Sequence, residues 1–195
     1  MNVFRFLLRV TMGGLFIGHG TQKLKGWFGG HGLEATANMF EHLGLRPGRR
    51  NAVAAGLAEA GGGAALALGL ATPFASAALI GTMLTAIHRV HLKNGPWISN
   101  QGYEYNLVLI CAAALLAELG PGPASVDHLL GTEKSGTGWG VAALAMGGAG
   151  AVAVHELAKS VEPAAPAEPA AAEAASAATE APPAPAETPQ PAVGR

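Results

Sequence analysis

"NAVAAGLAEAGGGAALALGLATPFASAALIGTMLTAIHRVHL", residues 51–92, contains two apolar runs that only the residues ATP at 71–73 separate. The runs, about Asn51–Leu70 and Pro73–Leu92, each approach the roughly 20 residues that an α-helix needs to cross a bilayer. In hydrocarbon the backbone groups must pair within each segment, so helices are expected. The short connection predicts a tight antiparallel hairpin of two helices.

Three further apolar runs flank this hairpin. Phe6–Leu24 and Tyr103–Leu119 are also near spanning length, and Gly138–Ala158 is long enough but rich in glycine. The fold class predicted is therefore all-α, an integral membrane antiparallel four-helix bundle with spans at about 6–24, 51–70, 73–92 and 103–119. The glycine-rich run predicts a fifth, C-terminal apolar helix, and the N-terminal run is interpreted as an uncleaved first span because Arg9 interrupts it and no A-x-A site follows.

The composition supports a membrane protein. Of 195 residues, 50% are hydrophobic and 13% are charged, and the mean hydropathy is +0.30. A soluble domain usually carries roughly twice that share of charge. The net charge of −1 gives no basic footprint for nucleic acid. The single cysteine, Cys111, excludes an internal disulfide and a self-contained dithiol relay.

Two segments differ from the spans. Between the first two spans, Leu33, Ala37, Phe40 and Leu43 recur at helical spacing, which predicts a short amphipathic interfacial helix over about 33–43 that ends near Gly44. The Ala/Pro/Glu-rich segment cannot bury enough apolar surface to fold and is predicted to be a disordered tail. The predicted domain organisation is a four-helix membrane domain at 1–131, a linker and fifth helix at 132–158, and the tail at 159–195.

Antiparallel alternation brings three polar motifs to one side of the membrane. The first span ends in HGTQKL, the third ends in HRVHLKNG, and the fourth begins at GYEY. Lysine and arginine are also more numerous on this side, so the positive-inside rule predicts that it faces the cytoplasm. Glu59 lies eight residues into the second span, about 12 Å along a helix. Ionisable groups at that depth usually face the bundle interior with a partner.

These residues predict a shared interior pocket. The catalytic candidates are Glu59, His19, His88 and Glu104, and the cofactor-binding candidates are His19, Gln22, Lys23, His88, Arg89, His91, Tyr103 and Tyr105. Structural alternatives stay open for several of them. Glu59 can be a paired carboxylate that fixes helix register, and Lys23 and Arg89 can extend to the interface. Tyr103 and Tyr105 can belong to an aromatic belt.

The histidines also allow a metal site or a haem site as an alternative. His88 and His91 with Glu104 nearby match a metal site only weakly, and a bis-histidine haem between His19 and His88 is geometrically conceivable. Neither spacing is diagnostic, so no metal site is assigned and haem is not favoured. Nucleotide-binding, zinc-finger and G-x-S-x-G motifs are absent from the sequence.

Residues 4–131 resemble the DoxX family of small bacterial membrane proteins. The resemblance rests on RFLLRVTMGGLFIGHGTQKL, FGGHGLEATANMFEHLGL, GLAEAGGGAALALGLATPFASAALIGTML, HRVHLKNG and GYEYNLVLICAAALLAELGPG, in that order. The resemblance implies a four-helix bundle in the bacterial plasma (inner) membrane. It also implies similarity of this chain to subunits associated with thiosulfate:quinone oxidoreductase. The matching motif positions are His19, Gly20, Gln22, Lys23, Glu59, His88, His91, Asn94, Gly95, Tyr103, Glu104 and Tyr105.

The leading functional hypothesis is a quinone-linked subunit of a membrane oxidoreductase complex in sulfur, thiol or oxidative-stress metabolism. A quinone is the expected cofactor, because its two carbonyl oxygens need hydrogen bonds that His19 or His88 can donate, while Glu59 and Glu104 relay protons. The expected partners are the lipid bilayer and soluble redox enzymes, with a homo-oligomer left open and nucleic acid not expected. The alternatives are a non-catalytic membrane anchor for redox enzymes and a small-molecule or proton carrier.

Overall fold

The computed structural model describes residues 3–161. Within that range every regular element is a helix. The α-helices are α1 Val3–Lys25, α2 Gly32–His42, α3 Gly48–Leu68, α4 Thr72–Ala86, α5 Glu104–Leu119, α6 Val126–Leu130 and α7 Thr137–Lys159. The prediction of an all-α chain is therefore confirmed for residues 3–161. From residue 162 onward, the predicted disordered tail lies outside the described residues.

The predicted spans coincide with long helices. The first, second and fourth runs form α1, α3 and α5, and the third forms α4 followed by a π-helical turn at Ile87–His91. The glycine-rich run forms α7, and the predicted interfacial helix forms α2, with Gly44 just beyond its end at a φ of +72°. The helices expected from the sequence are all present.

Membrane crossing is a separate question from helix formation. Among residues 3–161, α7 is the one helix that is both long and apolar enough to cross a membrane by length and composition. Helices α4 and α5, with 15 and 16 residues, are short for a span, and α1 carries Arg5, Arg9, Lys23 and Lys25. The membrane bundle of α1, α3, α4 and α5 stays a prediction.

Glycines let α1 and α3 approach until their backbones touch. A Cβ atom on Gly20 would lie 2.4 Å from the backbone nitrogen of Ala60, and one on Gly63 would lie 2.6 Å from the carbonyl oxygen of Gly13. Gly61 takes no part in this contact, because a Cβ there would meet nothing within 4 Å. Small residues therefore set the α1–α3 distance, as is common between membrane helices.

The remaining helices pack in an antiparallel arrangement around a common core. Helix α3 packs against α1, α2 and α4, and α4 packs against α5 and α7. Phe16, Leu66, Leu79, Ile80 and Leu116 are fully buried between them. Since the chain direction alternates, the C-terminal ends of α1, α4 and α7 and the N-terminal ends of α3 and α5 lie at one end of the bundle.

The opposite end is held by a buried polar cluster. Arg9 is 1% exposed, and its guanidinium donates to the carbonyl oxygens of Pro121 (2.5 Å) and Ala124 (2.6 Å). Asp127 is 3% exposed and accepts hydrogen bonds from the backbone N–H groups of Ala71 and Thr72, at the start of α4. A carboxylate at a helix N-terminus is stabilised by the helix dipole. This cluster fixes the loop after α5. It lies at the end of the bundle opposite the C-terminal ends of α1, α4 and α7.

Candidate functional site

A cavity of about 570 Å³ lies at the end of the bundle where the predicted motifs meet. Its walls come from α1, α2, α3, α4, α5 and α7 and are mostly apolar, with alanine and methionine side chains and glycine backbone. The polar and charged side chains in its lining are His19, Lys23, Asn51, Glu59, Thr82, Thr85, Arg89, His91, Tyr105 and Asn106. A volume of this size is typical of a small-molecule site.

A buried ion pair joins two walls of the cavity. The Nζ atom of Lys23 on α1 lies 2.5 Å from Oε2 of Glu59 on α3. The Glu59 side chain is 5% exposed and that of Lys23 is 24% exposed, so the carboxylate is deep and the ammonium reaches toward the surface. Close pairing offsets part of the cost of removing both charges from water. The pair places an exchangeable proton against an otherwise apolar wall.

Two hydrogen-bonding side chains in the lining are exposed, His19 on α1 and Tyr105 on α5. The imidazole of His19 packs edge-on against Phe16, with ring centroids 6.4 Å apart. Within residues 3–161, the ring nitrogens of His19 and the hydroxyl of Tyr105 have no hydrogen-bond partner within the protein. Both are therefore available to bind a ligand.

The π-helical turn at Ile87–His91 forms the third wall and places Arg89 and His91 in the lining. The guanidinium of Arg89 donates to the carbonyl oxygen of Leu43 (3.3 Å) and lies 2.7 Å from Nδ1 of His155. Nδ1 of His91 lies 2.7 Å from the carbonyl oxygen of Gln101, so that nitrogen carries a proton and donates it. Turns of this kind frequently occur at functional sites.

Four of the predicted site residues lie outside the cavity lining. Gln22 donates to the carbonyl oxygen of Phe28 (3.2 Å) and so braces the turn after α1. Tyr103 precedes α5 and is half-buried beside the loop. The other two, His88 and Glu104, were expected to share a pocket with His19 and Glu59.

The structure places neither His88 nor Glu104 in the cavity lining, and their roles at a site stay predictions. The ring of His88 packs against His155 of α7, with centroids 4.6 Å apart, because His88 lies on the face of the turn toward α7. The Oε1 atom of Glu104 accepts a hydrogen bond from the backbone N–H of Ile98 (2.7 Å), so this carboxylate orders the preceding loop. The cavity therefore contains His19 and Glu59 but neither His88 nor Glu104.

The structure adds residues that the sequence reasoning did not single out. Asn106 is 7% exposed, lines the cavity and donates to the sulfur of Met83 (3.4 Å). His155 holds Arg89 from α7. Each is a polar residue inside an apolar run, which is the signal that identified Glu59 and that identifies these two as well.

The cavity lining offers a ligand hydrogen-bond donors and charged groups. Lys23, Arg89, His19, His91 and Tyr105 are among the donors that line the cavity. Among residues 3–161, no three His, Cys, Asp or Glu side chains are grouped so that they could hold a metal ion. The arrangement suits an organic ligand with an apolar body and oxygen acceptors.

Comparison with known proteins identifies one family. The DoxX family model matches residues 4–92, which comprise α1–α4 and the π-helical turn. The match includes five charged or histidine residues of the lining, namely His19, Lys23, Glu59, Arg89 and His91. It ends before α5 and α7. No curated protein and no solved structure matches the chain.

Proposed function

The chain belongs, through residues 4–92, to the DoxX family of membrane proteins, and from this premise we propose that it is a quinone-linked subunit of a membrane oxidoreductase complex. The proposed setting is the bacterial inner membrane, crossed several times, in sulfur, thiol or oxidative-stress metabolism. Soluble redox enzymes are the proposed partners. The observation that supports the proposal best is the apolar cavity with the Lys23–Glu59 ion pair in its wall.

The residues of the cavity fit a quinone head group. A quinone needs apolar contact for its ring and tail and hydrogen-bond donors for two carbonyl oxygens. The cavity offers about 570 Å³ with apolar walls, and His19 and Tyr105 have unused hydrogen-bonding atoms in its lining. Small-molecule sites combine an apolar lining with a few polar groups in this way. His19 and Tyr105 would therefore hold and orient the ring.

When bound, a quinone supplies a two-electron acceptor whose reduction also takes up two protons. The Nζ atom of Lys23 donates a hydrogen bond to Oε2 of Glu59 (2.5 Å), and because the Lys23 side chain is partly exposed, the pair would connect the cavity to solvent. His19 also lines the cavity and would be a second proton donor. The residues of this chain thus bind, orient and supply protons, and electrons come from a partner.

Quinone binding tests the proposal directly. Full-length protein purified in a neutral detergent is dialysed against a short-chain ubiquinone, and bound quinone is quantified from the ultraviolet difference spectrum after borohydride reduction. Wild type is expected to bind about one equivalent. His19→Phe is expected to weaken binding roughly tenfold, since it removes a hydrogen-bond donor of about 1 kcal/mol or more. His42→Phe is the matched control, because His42 lies outside the cavity and bonds to Asn38.

The same preparation discriminates between the alternatives. Wild-type protein that binds no quinone would refute the proposal and favour a non-catalytic anchor for redox enzymes or a carrier. A Soret band in the absorption spectrum would indicate haem instead. Equal loss of binding in His19→Phe and His42→Phe would show that the effect is not specific to the cavity.

A further inference from the structure

The guanidinium of Arg89 is held in place by two hydrogen bonds. Its two hydrogen-bond partners are the carbonyl oxygen of Leu43 and Nδ1 of His155, and both are neutral acceptors. Leu43 is the C-cap of α2, where helix carbonyls lack partners within the helix. A cation at a helix C-terminus is also favoured by the dipole. These contacts orient the guanidinium but place no carboxylate beside it.

The geometry defines the state of His155. Arginine is a donor only, so a contact of 2.7 Å requires that Nδ1 of His155 carries a lone pair. The ring is further fixed by its edge-on contact with His88 at 4.6 Å. His155 lies on α7, beyond the residues that match the family model. A helix outside the matched domain therefore orients a charged residue inside it.

The charges of the cavity do not balance. Lys23 is paired with Glu59, which leaves Arg89 as a further cation in the lining. Among residues 3–161, no carboxylate oxygen lies within 4.0 Å of the guanidinium of Arg89. Two of its five N–H donors are used by Leu43 and His155. A charge next to apolar walls is costly unless an anion accompanies it.

We propose that the Arg89 end of the cavity binds the oxyanion of an amphipathic ligand, whose apolar body occupies the cavity, and that His155 is the positioning residue for Arg89. Guanidinium groups bind carboxylate and phosphate oxygens with short, charge-assisted hydrogen bonds. The shared chemistry is an oxyanion on an apolar chain, which a free carboxylic acid or an anionic lipid can supply. The inference rests on the proposed function only in that the cavity is a ligand site, and it does not require the ligand to be a quinone.

The test compares an acid with its uncharged ester. The probe is cis-parinaric acid, a fluorescent long-chain carboxylate, titrated at pH 7.5 into the full-length protein in neutral detergent beside its methyl ester. Wild type is expected to bind the acid about tenfold or more tightly than the ester. Arg89→Gln is expected to abolish that preference. Arg49→Gln removes a charge near the same end but is 67% exposed and paired with Glu34, so it is expected to retain the preference.

His155 variants test the positioning role. His155→Phe keeps an aromatic ring but removes the acceptor, and it is expected to lower affinity for the acid severalfold while affinity for the ester stays the same. His155→Asn restores an acceptor near the position of Nδ1 and is expected to recover most of the acid affinity. A purely structural role would weaken both probes equally in His155→Phe and would overturn this part of the inference.

Competition identifies the source of the oxyanion. Displacement of the acid by nanodiscs that contain phosphatidylglycerol, but not by phosphatidylcholine nanodiscs, supports the inference with a lipid headgroup as the source. If decanoate displaces the fluorescent acid and neither type of nanodisc does, the inference is supported with a free carboxylic acid as the source. Equal displacement by sodium sulfate at the same concentration would show a simple anion site and overturn the amphipathic ligand.

Quinone dialysis on the same preparations separates this inference from the proposed function. Protein that binds quinone but shows no preference for the acid, or an Arg89→Gln variant that keeps the preference, refutes the inference alone. Protein that prefers the acid and binds no quinone refutes the proposed function alone, and the oxyanion site stands.

Discussion

Substitution of Gly20 by alanine tests whether glycine contacts set the α1–α3 distance. A Cβ on Gly20 would lie 2.4 Å from the nitrogen of Ala60, whereas ordinary contact begins at about 3.4 Å. Because the obstacle is backbone, the two helices must separate by about 1 Å. Overpacking of this kind costs about 1–3 kcal/mol. The separation also weakens dispersion along the interface, since a gap of 0.5–1 Å forfeits a quarter to a half of each contact.

Gly18 provides a matched control on the same helix. A Cβ there would meet nothing within 4 Å, so Gly18→Ala gains helix propensity of up to about 1 kcal/mol without a clash. The assay is unfolding by sodium dodecyl sulfate in mixed micelles, followed by circular dichroism. Because both variants gain the same helix propensity, we expect Gly20→Ala to be about 1–3 kcal/mol less stable than Gly18→Ala. Equal stability of the two variants would refute the close approach of α1 and α3.

Three further predictions follow from the ion pair, the buried arginine and the charge asymmetry. Lys23→Met and Glu59→Gln should each lower the free energy of unfolding by about 1–3 kcal/mol, and the double variant should lower it by less than the sum of the two. If the two losses are additive in the same unfolding assay, the pair is not coupled. Arg9→Leu should destabilise by about 2–4 kcal/mol because the carbonyl oxygens of Pro121, which is buried, and Ala124 lose their donor. Arg9→Lys should recover only part of that loss in the unfolding midpoint, since lysine lacks the planar fork. A reporter fused after Arg50 should be active in the cytoplasm, and activity only outside the cell would reverse the proposed orientation.

Run length and hydropathy predicted the helices because those signals are local. The run 51–70 forms α3, and the residues at helical spacing around Leu33 and Phe40 form α2. Both helices begin and end within a few residues of the expected bounds. The π-helical turn at Ile87–His91 was not predicted, because its hydrogen-bond pattern depends on packing against neighbouring helices rather than on local composition. That turn determines which side chains face the cavity.

The candidate site was predictable to the extent that single residues are unusual in their setting. Glu59 was identified from its depth in an apolar run, and the structure shows it buried. Its partner Lys23 depends on the register of α1 against α3, which glycine contacts define and no local pattern reveals. For the same reason the sequence did not show that His88 faces α7 or that His155 holds Arg89. Single unusual residues could therefore be predicted, whereas contacts that depend on the register between two packed helices could not.

Filling the cavity tests most directly whether quinone binds there. Ala58 is in the lining, whereas the adjacent Leu57 is 59% exposed and outside it, so Ala58→Phe and Leu57→Phe place the same ring inside and outside the cavity. Equilibrium dialysis against a short-chain ubiquinone measures binding in both variants, and circular dichroism confirms that both are folded. We expect Leu57→Phe to bind like wild type and Ala58→Phe to lose at least tenfold in affinity. Unchanged quinone affinity in folded Ala58→Phe would contradict the assignment of this cavity as the quinone site.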